Sequence, residues 1–310
     1  MFQLFATPFG KFKRYEFVHT NGKFAFSLVP EYGATPLQVM LNGLNLLDSH
    51  ATTAQLELHD WGRNIFLFPF PNRLCGGRFT WQGKTYQFPI NEPSLGNALH
   101  GFGMGAPTQL EEVRMGEDSA FAKFFHSYVG ELSYFPFPFR VDYAFSISAT
   151  DGFEIKLTTT NTGSSDMPFG LGWHPYIVLP GRLADWSLTL PPCRRVEIDT
   201  RMIPTGVKQE FSYFAKAGNL ANVQLDHCFE IRETTGVAEF VLHSGGHSLR
   251  VWQETGLGKF NFVQLFIPPR RHCLALEPVS CNIDAFNNGD GLQILAPGES
   301  MGGSFGFRLE

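Results

Sequence analysis

Three segments of this chain set an ionisable side chain beside glycine or proline inside otherwise apolar sequence. In Cys273-Leu274-Ala275-Leu276-Glu277-Pro278 an apolar stretch runs straight into a carboxyl. A carboxylate at the end of a buried strand is costly unless it is paired or protonated. Desolvation there raises its pKa toward the range useful to a general base. In Gly170-Leu171-Gly172-Trp173-His174-Pro175-Tyr176, Pro175 drives His174 into extended backbone and so fixes where its ring points. Trp173 and Tyr176 beside it offer flat apolar faces with polar tips. In Asn97-Ala98-Leu99-His100-Gly101-Phe102-Gly103, the glycines after His100 permit close backbone approach and unusual φ, which suits a pocket wall. Plainer readings stand beside these: a buried structural salt bridge for Glu277, a strand histidine held by a backbone carbonyl for His174, and a loop histidine near a turn for His100.

Two further places are weaker candidates. Asn72-Arg73 follows the run Phe68-Pro69-Phe70-Pro71, and Leu225-Asp226-His227-Cys228-Phe229 puts Asp226 beside a strand. For each, a surface salt bridge is the plainer account. His19, His50, His59, His126, His243, His247 and His272 lack the glycine or proline framing and read as surface or structural. Asp284, in Asn282-Ile283-Asp284-Ala285, reads as a turn former ordering the loop behind Glu277. A carboxylate and an imidazole together bracket neutral pH, and each can act as acid or base.

The elements that must position these groups read as strands. In 141–148, Val141, Tyr143, Phe145 and Ile147 alternate with Asp142, Ala144, Ser146 and Ser148. Asp151-Gly152 follows, a dipeptide suited to the positive φ of a tight hairpin turn. Phe153, Ile155 and Leu157 then alternate with Glu154, Lys156 and Thr158. Such period-2 patterning on both sides of a turn predicts antiparallel strands with one face buried. Further strands are predicted at 14–19, 23–29, 78–81, 84–88, 120–129, 237–243, 248–253, 260–267 and 291–296. The Phe-Pro alternation at 135–139 is placed at an edge or in a loop, because proline has no N–H to donate. The fold class is all-β, a large antiparallel β-sandwich, with 1–310 as a single domain.

Composition agrees. The 310 residues are 15% aromatic, with 32 Phe, 32 Gly and 20 Pro, which favours strands and turns. The net charge of -5, with Lys and Arg scattered, argues against a nucleic-acid partner. No apolar run is long enough for a membrane span, and the N-terminal residues do not read as a signal peptide. Cys75, Cys193, Cys228, Cys273 and Cys281 are odd in number and widely spaced without a CxxC pair. They predict reduced thiols, no metal site and a cytoplasmic location. The expected quaternary state is a monomer or weak homodimer.

In order, Asn72-Arg73-Leu74, Gly77-Arg78-Phe79, Gly83-Lys84-Thr85-Tyr86, Asn91, Leu99-His100-Gly101, His174-Pro175-Tyr176, Leu225-Asp226-His227, Leu276-Glu277-Pro278 and Pro297-Gly298-Glu299 span most of the chain. This ordered set resembles the aldose 1-epimerase (galactose mutarotase) family. The resemblance implies an antiparallel supersandwich with an open cleft for a pyranose, and no cofactor. It implies Glu277 as general base and His174 as general acid. His100, counted with them as a catalytic candidate, would hold sugar hydroxyls and ring oxygen together with Arg73 and Asp226. Asn72 and Trp173 complete the expected substrate-binding set, Trp173 as a ring on which a sugar packs. The expected pH profile has an acid limb from the carboxylate and an alkaline limb from the imidazolium. The chain departs from the family pattern at Gly101-Phe102, at the Phe-Pro run before Asn72 and at Val279. These departures put galactose itself in doubt, and a hexose-6-phosphate is the nearest alternative substrate. That ligand would want convergent arginines, for which Arg194-Arg195 and Arg270-Arg271 are candidates. A glycoside hydrolase or lyase using Glu277 and Asp226 leaves His174 without a role. A non-catalytic sugar sensor has no need of a paired acid and base.

Overall fold

The hairpin legible at 141–159 lies inside the larger of two main sheets. A computed structural model describes every residue except 59, 233 and 234, so His59 lies outside the described residues. Strand Phe139–Ser148 alternates buried and half-buried positions without a break, and pairs antiparallel with Gly152–Asn161. Ser148 faces Gly152 across a connection of residues 149–151. Only Gly152, at φ 87°, takes the left-handed conformation, so the positive φ falls on one residue of the Asp-Gly pair.

This sheet has nine strands in the order Gln109–Met115, Ser119–Tyr128, Phe139–Ser148, Gly152–Asn161, Ser300–Leu309, His247–Thr255, Gly236–Ser244, Ser187–Thr189 and Gly218–Asn219. A second sheet of eight runs Pro204–Phe211, Cys193–Ile198, Asp226–Ile231, Phe262–Phe266, Leu274–Val279, Gly172–Trp173 and Phe66–Leu67, with Tyr176–Ile177 also pairing with Leu274–Val279. A five-stranded sheet over Phe2–Asn45 packs on the same core. Among the described residues the α-helices are the short Thr53–Glu57 and Ala285–Asn288. None is long and apolar enough to cross a membrane.

The strands expected at 14–19, 23–29, 78–81, 84–88, 120–129, 237–243, 248–253, 260–267 and 291–296 each overlap an observed strand. The Phe-Pro segment is loop through residue 138, and its last phenylalanine opens the central strand Phe139–Ser148. Its rings are not peripheral: Phe135, Phe137 and Phe139 are all buried in the core. Between the sheets, aromatic rings meet edge to face or stacked, as Phe66 does with Phe145 and Trp173 with Phe305. Such contacts add to the roughly 1.5–3 kcal/mol that burying each large apolar side chain contributes.

Strand Leu274–Val279 is central and fully buried, and its two faces do different things. Leu274 and Leu276 point into the shared core. By the two-residue period of a strand, Ala275, Glu277 and Val279 point the other way. Here the second sheet turns its outer face to a cavity.

Candidate active site

Register explains how the sheet assembles the cavity. On strand Leu274–Val279, Gly172 pairs with Val279 and Tyr176 with Ala275. Counting between those pairs sets His174 opposite Glu277. On the other side Gln264 pairs with Glu277, and Asp226 with Phe266. His174, Glu277, Gln264, Phe266 and Asp226 thus share one face of the sheet. A second group arrives from the loops: Asn72, Arg73, Glu92 and His100 on one side, Leu58, Trp61 and Gly62 on the other. Together they line a cavity of about 460 Å³.

His174 and Glu277 lie on its floor, 5% and 1% exposed. His174 Nε2 is 3.3 Å from Glu277 Oε1. Glu277 Oε2 and His174 Nδ1 make no hydrogen bond to another described residue. Burial pushes the Glu277 carboxyl well above its ordinary range, and the Asp226 charge adds to this. Burial pushes the His174 imidazolium the opposite way, well below its ordinary value. Both charged forms are disfavoured for the same reason, loss of water.

His174 is held by its backbone. Its N–H donates to the Ile65 carbonyl, and its own carbonyl accepts from Asn64 N–H. Asn64 is fully buried, sits at φ 61°, and uses every polar group it has. Its carbonyl accepts from Trp173 Nε1, its Oδ1 from Tyr176 N–H, and its Nδ2 donates to the Asp48 carbonyl. Tyr176 stacks parallel on the His174 ring with centroids 5.0 Å apart, and its hydroxyl donates to the Trp61 carbonyl.

The walls are joined by a chain of hydrogen bonds. Glu92 grips Arg73 at 2.8–3.1 Å, a half-buried pair rather than a freely exposed one. Arg73 Nη1 donates to Asn72 Oδ1, Asn72 Nδ2 to Gln264 Oε1, and Gln264 Nε2 to Asp226 Oδ1. Burial raises the Asp226 carboxyl, and Arg73 opposes the shift. His100 sits at φ 64° and exchanges bonds with Asn72: its N–H donates to the Asn72 carbonyl, and its Nδ1 accepts the Asn72 N–H at 3.2 Å. Burial, with His174 and Arg73 close by, holds His100 neutral. A neutral ring that accepts at Nδ1 carries its proton on Nε2, so His100 is a donor. Gly101 after it has φ 65°, and a Cβ there would meet the Phe68 carbonyl oxygen at 2.2 Å. Asp284, in left-handed conformation, anchors the loop after Glu277 to the Arg73 strand: its N–H donates to the Arg73 carbonyl, and its Oδ1 accepts the Cys75 N–H.

Six of the seven site residues expected from sequence line the cavity: Glu277, His174, His100, Arg73, Asp226 and Asn72. Trp173 does not, and its expected role as a sugar platform is corrected. It is 1% exposed and lies in the core between Phe66 and Phe305. As the strand neighbour of His174 it must point to the opposite face. The exposed ring at the cavity is Trp61, stacked on Phe266 at 5.6 Å. Gln264, Glu92, Trp61 and Phe266 escaped the sequence reading. Gln264 alone left a signal, as the one polar side chain inside Phe262–Phe266.

A family model described as aldose 1-epimerase matches residues 16–308. The chain is 28% identical over 276 residues to the uncharacterized protein YihR of Escherichia coli (strain K12), covering 86% of this chain and 84% of that one. It is 32% identical over 142 residues to the galactose mutarotase of Mus musculus, covering 44% of this chain and 39% of that protein. A solved galactose mutarotase-like protein from Clostridium acetobutylicum superposes with a TM-score of 0.88 at 18% identity, over 100% of this chain and 98% of that one. That last likeness is one of fold.

Proposed function

The chain belongs to the aldose 1-epimerase family, and from this we propose that it interconverts the α and β anomers of a free, uncharged aldose. The observation that carries the reading is the buried contact between His174 Nε2 and Glu277 Oε1, 3.3 Å apart at the floor of the cavity. The C1 hydroxyl oxygen and the ring oxygen hang on the same carbon. An acid and a base in mutual contact reach both at once. Glu277 takes the proton of the C1 hydroxyl while His174 delivers one to the ring oxygen, and the ring opens to the aldehyde. Rotation about C1–C2 presents the other carbonyl face, and closure runs with the roles reversed.

The pair holds one proton between its two members. In the empty cavity, desolvation favours the uncharged arrangement, with the proton on the carboxyl. Sugar hydroxyls donating to Glu277 favour the carboxylate, which moves that proton to the imidazole and arms both groups. His100 Nε2–H, Asn72, Gln264 and Asp226 supply hydrogen bonds to the remaining hydroxyls. Asp226 and Arg73 make the stronger, charge-assisted ones.

The cavity's charge favours a free sugar over a 6-phosphate. Among the described residues its one guanidinium, Arg73, is already gripped by Glu92, and Asp226 and Glu277 add acids. The arginines that sequence offered for a phosphate are engaged or face elsewhere. Arg194 pairs with Glu230, Arg195 with Glu197, and Arg271 donates to the carbonyls of Leu220, Ala221 and Val223. Arg270 is exposed and off the cavity.

Polarimetry on freshly dissolved α-glucose, α-galactose and their 6-phosphates tests the reading. Acceleration of at least one free aldose above its phosphate is the expected result. Acceleration of no aldose would leave a sugar-binding protein in its place.

A further inference from the structure

Behind Tyr176, outside the cavity, three donor atoms of different chemistry converge. His272 and Cys273 lead into strand Leu274–Val279, and Asp48 comes from far away in the chain. His272 Nε2 is 3.1 Å from Asp48 Oδ2 and 3.6 Å from Cys273 Sγ. All three donor atoms lie within 4.8 Å of one another. We propose that Asp48, His272 and Cys273 form a binding site for one thiophilic divalent cation of the zinc class, with solvent as the fourth ligand.

The geometry argues against the two simpler uses of these residues. A Cys–His–Asp catalytic relay engages both ring nitrogens, one per partner. Here thiol and carboxylate both face Nε2. A plain ion pair explains the Asp48 contact but leaves the thiol at the same nitrogen, which has only one hydrogen to give. Convergence of sulfur, nitrogen and oxygen on a single point is what ligation needs. Zinc bonds of roughly 2.3 Å to sulfur and 2.0–2.2 Å to nitrogen and oxygen give tetrahedral edges of about 3.3–3.6 Å. The observed 3.1 and 3.6 Å edges are close to these.

Charge and access fit as well. Thiolate and imidazole select zinc-like ions over magnesium or calcium. A Cys273 thiolate and the Asp48 carboxylate together match a dication. Arg63, 3.3 Å from Asp48 Oδ2, is itself shared with Asp60. The oxygen nearest His272 Nε2 is the one that Arg63 also reaches, so Asp48 Oδ2 would bridge the ion and the guanidinium. His272 is 46% exposed, which leaves an entry path and an open coordination position, whereas Cys273 is buried. Binding breaks the Cys273 S–H bond, releases that proton to solvent and forms the sulfur–metal bond. Neutral His272 ligates through the Nε2 lone pair with its proton on Nδ1. Sequence gave no sign of this set because Asp48 is 224 residues from His272.

The test is cobalt titration of the full-length, reduced, chelator-stripped protein. One equivalent of Co²⁺ should give tetrahedral visible absorption and a near-ultraviolet thiolate-to-cobalt band, both abolished by Zn²⁺. Cys273→Ser should lose the thiolate band. His272→Ala, on an exposed side chain, should weaken binding on the order of 100-fold or more. Cys75→Ser should change neither. Absence of a thiolate band at saturating Co²⁺ would overturn the proposal, as would its loss in Cys75→Ser alone. Should Cys273→Ser fail to fold, unchanged cobalt affinity in His272→Ala would overturn it equally.

Discussion

Burial acts on Glu277 and His174 in opposite senses, so the pair keeps a single proton over a wide range of pH. A second proton must go onto an imidazole held well below its usual value. The last proton must leave a carboxyl held well above its own. This reverses the limbs expected from sequence, where the carboxylate governed the acid side and the imidazolium the alkaline side. The kcat/KM profile should show a broad plateau through neutrality, with an acid limb below the ordinary histidine range and an alkaline limb above the ordinary carboxylate range. Glu277→Gln and His174→Asn should each lower kcat by roughly 10²–10⁴-fold. The double variant should fall far short of the product of the two losses, since the groups act in one transfer. An alkaline limb that survived in Glu277→Gln would contradict the assignment, and wild-type turnover in either single variant would remove that residue from the chemistry. Both residues were legible because each is an ionisable group in apolar sequence, fixed by a following proline. Glu92 was not, because a glutamate in a polar loop looks like ordinary surface until Arg73 is placed against it.

The strand bearing His174 is short and broken, and its position depends on Asn64 rather than on a long ladder of its own. Gly172–Trp173 and Tyr176–Ile177 flank the interruption at His174 and Pro175. Asn64 spans it with bonds to Trp173, His174 and Tyr176. The left-handed backbone at Asn64 is one that asparagine tolerates and alanine resists by about 1–2 kcal/mol. Asn64→Ala should therefore combine that strain with the loss of the bonds to the buried Tyr176 N–H, at about 1–3 kcal/mol, and to the half-buried Asp48 carbonyl. Asn64→Gly should lose the side-chain bonds but not the backbone fit, and be the less destabilised of the two. Urea unfolding of both variants measures the difference, and equal stabilities would show that the left-handed conformation contributes nothing. Sequence hid this role because Asn64 precedes an apolar run without any charge to mark it. Alternation could have corrected Trp173 in advance: neighbours on a strand cannot share a face, so either His174 or Trp173 could reach a cavity, not both.

At the scale of the whole molecule, local pairing was legible and distant pairing was not. Phe139–Ser148 and Gly152–Asn161 announce themselves by period and turn. That Gly152–Asn161 then pairs with Ser300–Leu309, or Asp226–Ile231 with Phe262–Phe266, depends on packing that no short window carries. The same packing buries histidines in uncharged form, and this has a consequence for acid stability. His50, 5% exposed, is lowered to about 4, first by burial and then by Arg63. His100, His174 and His227 are lowered as well, all mainly by burial. A base with a depressed folded pKa leaves the unfolded chain holding more protons in the interval between the two values. Stability then rises with pH across that interval and is lost as pH falls through it. For His50 the interval runs from 6.5 to about 4, which corresponds to about 3 kcal/mol lost at its acid end. Glu277, Asp226 and Asp284 are raised and act in the opposite sense, gaining stability as they take up protons. The four lowered histidines outnumber the three raised carboxyls. Thermal unfolding should therefore shift to lower temperature as pH falls from 6.5 toward 4.5. His50 lies off the proposed cavity, so His50→Phe removes one proton from this balance without touching the pair on the floor. Its stability should fall less steeply over that range, by about 1.4 kcal/mol per pH unit where His50 alone is titrating. A slope identical to wild type, with the fold intact by circular dichroism, would mean that His50 takes its proton in the folded state as readily as in the unfolded one.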